Sequence, residues 1–167
     1  EAAYRYVSTD QRTRISATAF YSAYDNPQFF LQLIPGSLAS TIVVNLPEAE
    51  TYGLELEART SLTDTLNVFA SLGFLETEVT ESLVTRPDLV GNRIGKDPEQ
   101  SATIGFDWTP AALPDLTFNG QASYIGPFFN DFNNLPDQEI GDYALIDLGA
   151  AYKFDQLEVR AFVNNAT

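Results

Sequence analysis

Glu55 and Glu57 stand two residues apart in the stretch TYGLELEART, residues 51–60. Paired carboxylates are the residue types of general acid–base chemistry, one protonated to donate and one ionised to accept. On an extended strand they would lie ~6.6–6.8 Å apart, nominally inside the window that inverting glycosidases use. Same-face neighbours on one strand, however, line one wall and do not face each other across a substrate. The alternation gives a second reading. Tyr52, Leu54, Leu56 and Ala58 share one parity; Gly53, Glu55, Glu57 and Arg59 share the other. A strand with that pattern separates two environments, and Gly53 leaves packing space on the polar side.

Composition limits what the polar side can do. The chain has 167 residues, 44% hydrophobic and 13% aromatic, enough for one ordered domain. Its 23 acids against 9 bases give a net charge of −14, which disfavours binding to nucleic acid or to anionic membrane surfaces, since both need a basic patch. Cysteine and histidine are absent. A disulfide framework, a thiolate or imidazole metal site, a Ser–His–Asp triad and a Cys–His pair are therefore excluded within this chain. No cofactor is implied. The sequence opens at Glu1 with no methionine, basic n-region or apolar h-region, so a leader is expected to be missing or already removed. Both ends read as cuts, and the chain is expected to be a fragment of a longer polypeptide.

The ordered runs have a period of two and poor helical periodicity. No run approaches the ~18 apolar residues of a membrane-spanning helix. Leu66, Val68, Ala70, Leu72 and Phe74 alternate with Asn67, Phe69, Ser71 and Gly73. The same holds for Ala102, Ile104, Phe106 and Trp108 against Ser101, Thr103, Gly105 and Asp107. Eight strands are expected, over residues 1–7, 13–24, 49–60, 65–79, 100–109, 116–128, 143–154 and 157–165. Most have the ~9–13 residues that a tilted strand needs to cross a bilayer core. Short connections alternate with long ones, the long ones being 25–48, 80–99 and 129–142. Short turns on one side and long loops on the other are the habit of outer-membrane barrels.

The aromatic residues fit the same picture. Trp108, Tyr152 and Phe154 fall near the short-turn ends; Tyr21, Tyr52, Phe74 and Tyr124 fall near the long-loop ends. All seven lie on apolar parity, where a membrane girdle at headgroup level would sit. The opposite parity carries Arg14, Glu55, Glu57, Arg59, Asp107, Asp147, Lys153, Glu158 and Arg160, expected to face a wet lumen and to form cross-strand pairs. The expected fold is all-β, an antiparallel meander of about eight strands.

Several segments resemble the C-terminal part of the barrel of TonB-dependent outer-membrane receptors. AETYGLELEART at 49–60 is similar to the family's Tyr-Gly-x-Glu-x-Glu strand, and DYALIDLGAAYKF at 142–154 to its Tyr-x-Leu-x-Asp-Leu strand. FYSAYDNPQ, GNRIGKDPEQSATIGFDW, YIGPFFNDFNN and VRAFVNNAT resemble, in order, an outgoing strand, a loop-to-strand passage, a strand rising into an aromatic and Asn-rich loop, and a penultimate strand. The resemblance implies that residues 1–167 are part of a larger transmembrane barrel of about 22 strands, with the plug domain, earlier strands and closing strand lying outside this sequence. It further implies a Gram-negative outer membrane, lipid outside, a plug inside, and energy from the TonB complex through a segment not present here. The implied function is active uptake of a scarce nutrient, a ferric siderophore foremost, by gating and not by enzymatic chemistry. Within the loops, Arg86 and Arg93 are candidates for an anionic ligand, and Phe128, Phe129, Asn130, Phe132 and Asn133 for stacking and hydrogen bonding. The alternatives are a complete eight-stranded outer-membrane barrel serving as adhesin or anchor, and a soluble ligand-binding barrel with the same alternation inverted.

Overall fold

The computed structural model describes residues 1–34 and 37–167, the side chain of Leu38 excepted. Eight strands form one sheet: β1 (Ala2–Val7), β2 (Thr13–Asp25), β5 (Glu48–Ser61), β6 (Leu66–Glu81), β7 (Gln100–Trp108), β8 (Leu116–Ile125), β11 (Tyr143–Phe154) and β12 (Leu157–Val163). Between them lie two small ribbons, β3 (Gln28–Gln32) with β4 (Thr41–Asn45), and β9 (Phe128–Phe129) with β10 (Glu139–Ile140). The sheet order is β1-β2-β5-β6-β7-β8-β11-β12, every neighbour antiparallel. β1 and β12 are its edges and do not pair with each other. The closed eight-stranded barrel allowed by the sequence would require that pairing, so that alternative is not favoured.

Three expectations need correction at their boundaries. The strand expected over 116–128 stops at Ile125, because Gly126 donates its N–H to the Gln100 carbonyl (2.8 Å) and Pro127 has none to give. The strand expected over 157–165 ends at Val163, where Asn165 adopts a left-handed φ of 53°, although Ala166 N–H still reaches the Ile146 carbonyl at 2.9 Å. The connection 25–48 is not a plain loop; it holds the β3–β4 hairpin, and residues 35 and 36 of it lie outside the described residues. The long strands reach 13, 14 and 16 residues in β2, β5 and β6.

The register sorts the two parities onto two faces. One row of directly opposed residues reads Tyr6, Ile15, Ala58, Ala70, Ile104, Ala122, Ile146; the next reads Tyr4, Ala17, Leu56, Leu72, Ala102, Tyr124, Ala144. Neither row contains a charge. Many of these side chains stay exposed, Tyr4 at 64% and Ile104 at 63%, so none of the described residues covers this part of the face. An exposed apolar face of this extent needs an apolar surround. The other face has rows reading Arg5, Ser16, Glu57, Ser71, Thr103, Ser123, Leu145 and Val7, Arg14, Arg59, Phe69, Gly105, Gln121, Asp147.

Glycines let rings settle onto this lattice. On the polar face, the Phe20 ring covers Gly53, and the Phe69 ring covers Gly105. Such ring-over-glycine pairs pin register where a strand carries no side chain. A Cβ at position 53 would meet the Phe74 carbonyl oxygen at 2.2 Å, whereas one at position 141 meets nothing within 4 Å. Gly53→Ala is therefore expected to cost the folded barrel about 1–3 kcal/mol, and Gly141→Ala close to nothing. Urea denaturation of the full-length protein in detergent, followed by the heat-dependent gel mobility of folded barrels, measures both. Equal stability of the two variants would refute the packing described.

Candidate functional site

The three long connections do not spread outward. They fold over the polar face at its long-loop end and build the one buried apolar cluster found among the described residues. Leu31, Leu46, Val79, Leu89 and Phe132 are buried there, with Phe29, Val44, Leu83 and Ile94 packed around them. Alternation in β3 makes this fit: Phe29 and Leu31 turn into the cluster, while Phe30 stays 72% exposed. The Phe29 and Phe132 rings meet edge to face at 4.6 Å. Val79 and Thr77 come from polar parity of β6, so the wall supplies the floor of the cluster.

Polar groups of the loops are matched to backbone. Asn134 accepts from Arg93 N–H (2.6 Å) and donates to the carbonyls of Arg93 (3.1 Å) and Asp131 (3.0 Å), acting as an extra strand segment. Its φ of 48° is one that asparagine tolerates better than most residues. Asn92 donates to the Phe132 carbonyl (2.7 Å), and Ile94 N–H to the Thr77 hydroxyl (3.0 Å).

The ligand candidates divide on this geometry. Arg86 grips Asp88 with two prongs (Nε to Oδ1 3.0 Å, Nη2 to Oδ2 2.8 Å) and donates to Asn133 Oδ1 at 2.7 Å. Arg93 pairs with Glu99 at 2.9 Å and donates to the Asp97 carbonyl at 3.3 Å. Arg86 thus ties the 80–99 and 129–142 connections together, while Arg93 braces the 80–99 connection within itself. Phe132 is buried, Phe128 and Phe129 lie in the short ribbon, and Asn130 is exposed. An open cleft of about 370 Å³ lies between the β3–β4 hairpin and the two other loops. Asn130, Asp131 and Phe132 line it, with Gln28, Phe30, Gln32, Thr41 and Lys96. Asp131 and the last five were missed in the sequence. The alternation of amide and ring in QFFLQ was the available signal. Lys96 makes no ion pair among the described residues, and its φ of 77° is unusual for a side-chain-bearing residue.

Of the polar-parity residues, Glu55, Glu57, Arg14, Arg59, Asp107 and Asp147 all lie on the face below this crown. Glu55 and Glu57 share one strand and both are exposed, with Thr18 and Ser16 opposite them and no carboxylate across a gap. Asp147 joins three segments: Gln121 Nε2 donates to it at 3.0 Å and Asn165 N–H at 3.0 Å. Lys153 stands opposite Glu158, whose carboxylate is taken by Arg160 of the same strand. The aromatic residues Tyr21, Tyr52, Phe74, Trp108, Tyr124, Tyr152 and Phe154 all lie on the apolar face, Tyr21 directly opposite Tyr52 and Trp108 stacked on Phe118 at 5.7 Å. Glu76 stands in the same row, directly opposite Tyr52, and Glu50 with Glu78 continues the parity beyond it, so the charge-free band ends at this level.

The loop carboxylates respond to their settings in opposite directions. The hydrogen bond from Arg86 holds Asp88 below its ordinary value of 3.8, whereas burial pushes Asp97 above 3.8, against the pull of Arg93. The Arg86–Asp88 contact therefore stabilises above pH 3.8 and is lost as pH falls through the depressed Asp88 value. Packing around Asp97 runs the other way, firmest below 3.8 and weakening as pH rises through the raised value. Carboxyl NMR titration is expected to give midpoints on either side of 3.8, with Arg86→Gln returning Asp88 toward it. Coincident midpoints would contradict these settings. Asn134→Ala is expected to weaken the crown by about 1–3 kcal/mol, read as faster amide exchange at Arg93 with sheet protection unchanged. Unchanged exchange at Arg93 would count against its bracing role.

Solved structures share this architecture. The siderophore receptor PiuA from Acinetobacter baumannii superposes with a TM-score of 0.76 at 24% identity, covering 96% of this chain and 23% of that one. The ferric yersiniabactin uptake receptor FyuA from Yersinia pestis gives 0.78 at 20% identity, covering 97% and 23%. The copper transporter OprC gives 0.75 at 16% identity, covering 97% and 24%. The chain thus spans about a quarter of the length of the structures it matches. The family model for the TonB dependent receptor-like beta-barrel matches residues 1–166, and the chain belongs to that family.

Proposed function

We propose that residues 1–167 form one sector of wall and loop crown in an outer-membrane receptor that takes up a ferric siderophore, driven by TonB, in a Gram-negative bacterium. The observation that carries this reading is the two-faced open sheet: a charge-free outer face, a polar inner face, and loops packed inward at one end only. Lipid meets the first face, with Tyr21, Tyr52, Phe74 and Tyr124 at one headgroup level and Trp108, Tyr152 and Phe154 at the other. A plug domain meets the second, where Arg14, Glu55, Glu57, Arg59, Asp107, Asp147, Lys153, Glu158 and Arg160 offer charges. The function is gated transport, and Glu55 and Glu57 serve it as wall residues.

The cargo would be met in the crown. Phe30, Lys96, Asn130 and Phe132 line its cleft, and they supply stacking, one cation and an amide. Phe128 and Phe129 flank it; Arg86, Arg93 and Asn133 hold its shape. Two of the three neighbours described above are named a siderophore receptor and a ferric yersiniabactin uptake receptor. The third is a copper transporter, but this chain holds no Cys, His or Met, so it offers no soft or imidazole ligand to a bare copper ion. Uptake of labelled ferric siderophores by cells expressing the full-length receptor is the test. Phe30→Ala and Lys96→Gln are expected to weaken binding roughly tenfold each while the barrel stays folded. Glu55→Ala is expected to alter plug stability or uptake rate. Wild-type levels in all three would overturn the assignment of these roles.

A further inference from the structure

Three connections build the crown, and their charges are unequal. Residues 25–48 carry two acids, 80–99 four and 129–142 four, against three bases, all of them in 80–99. Half of the chain's net charge of −14 therefore sits in the crown. Two of the three bases are already matched: Arg86 reaches Asp88 at 2.8 Å, and Arg93 reaches Glu99 at 2.9 Å. Lys96 is the third, and it lines the cleft together with Asp131. The cleft thus meets its cargo with one charge of each sign, in a field that the surrounding acids make negative.

The rest of the lining is neutral. Phe30, Phe132 and Ile94 supply carbon surface, and Gln28, Gln32 and Asn130 supply amides, which both donate and accept. Asp137 and Glu139 are exposed on either side of Gln138, whose carbonyl takes the Asn130 N–H at 3.1 Å. These two carboxylates stand beside the cleft wall without lining it.

We infer that the cleft selects an electrically neutral ferric chelate, of the hydroxamate class, over polyanionic chelates of the catecholate class. The inference rests on the reading of the crown as a siderophore site, and it narrows the cargo by charge. Hydroxamates are singly ionised, so a full set of them cancels the charge of a ferric ion. Catecholates are doubly ionised, so a full set leaves a polyanion. A polyanion here would face like charges around a cleft that offers it one cation. It would also lose hydration against phenylalanine rings. A neutral chelate meets neither cost. Its carbonyl oxygens accept from the amides, and its carbon framework packs on the rings.

The test uses the full-length protein in detergent and two iron-radiolabelled probes, a ferric tris-hydroxamate and a ferric tris-catecholate. Equilibrium dialysis at low salt is expected to show roughly tenfold tighter binding of the hydroxamate. The gap is expected to close as ionic strength rises from ~0.01 M, where charges are felt over ~30 Å, to ~1 M, where they are felt over ~3 Å. Asp137→Asn with Glu139→Gln is expected to raise catecholate affinity about threefold and to leave hydroxamate affinity unchanged. Catecholate binding equal to or tighter than hydroxamate binding would overturn the charge selection and leave the receptor reading in place. So would a preference that responds neither to salt nor to the double substitution. Binding of neither probe, by a protein that keeps the heat-dependent gel mobility of a folded barrel, would overturn the siderophore reading itself.

Discussion

Backbone pairing dominates this structure. Each peptide group on a strand that crosses hydrocarbon must find its partner on a neighbouring strand, because no water is there to replace it. The antiparallel ladder from β1 to β12 provides those partners along the sheet, and in doing so it fixes which residues share a face. Once Leu56 is opposite Ala17 and Leu72, Glu57 must be opposite Ser16 and Ser71. The sequence needs only to keep its apolar residues on one parity for the sheet to have an apolar side and a polar side.

The rest follows from having two sides. Because the outer face is charge-free across its middle rows, the charges there collect on the inner face, basic at Arg5, Arg14 and Arg59 and acidic at Asp107 and Asp147. Because the inner face at the long-loop end is no longer polar, with Val79 and Thr77 buried there, the loops have an apolar floor to fold onto. The crown is thus built as a small core above the wall, with Arg86 tying two of its loops together and Arg93 bracing one of them.

Much of the sheet was legible beforehand. Period-two runs such as LNVFASLGF have one uninterrupted apolar face, and register follows from that face. Tyr4-Arg5-Tyr6 carried the same signal, so Arg5 belonged with the polar set from the start. The loops were less legible for a physical reason. QFFLQ and TIVVN pack against other loops, and no local pattern says which way a hairpin will fold. Nor does a loop arginine reveal whether it meets a ligand or a nearby carboxylate: Arg86 finds Asp88 two residues on, and Arg93 finds Glu99 six on. Phe128 is cut off from β8 because Pro127 has no N–H to donate.

The assignment of lipid to one face and water to the other is open to one direct measurement. Single cysteines placed along β6 of the full-length protein at Ala70, Ser71, Leu72, Gly73 and Phe74, labelled with a small fluorophore and reconstituted with brominated lipid, report each side chain's surroundings. Quenching is expected to alternate, strong at Ala70, Leu72 and Phe74 and weak at Ser71 and Gly73. Uniform quenching along the strand, or the reverse phase, would contradict the two-faced wall on which the whole account stands.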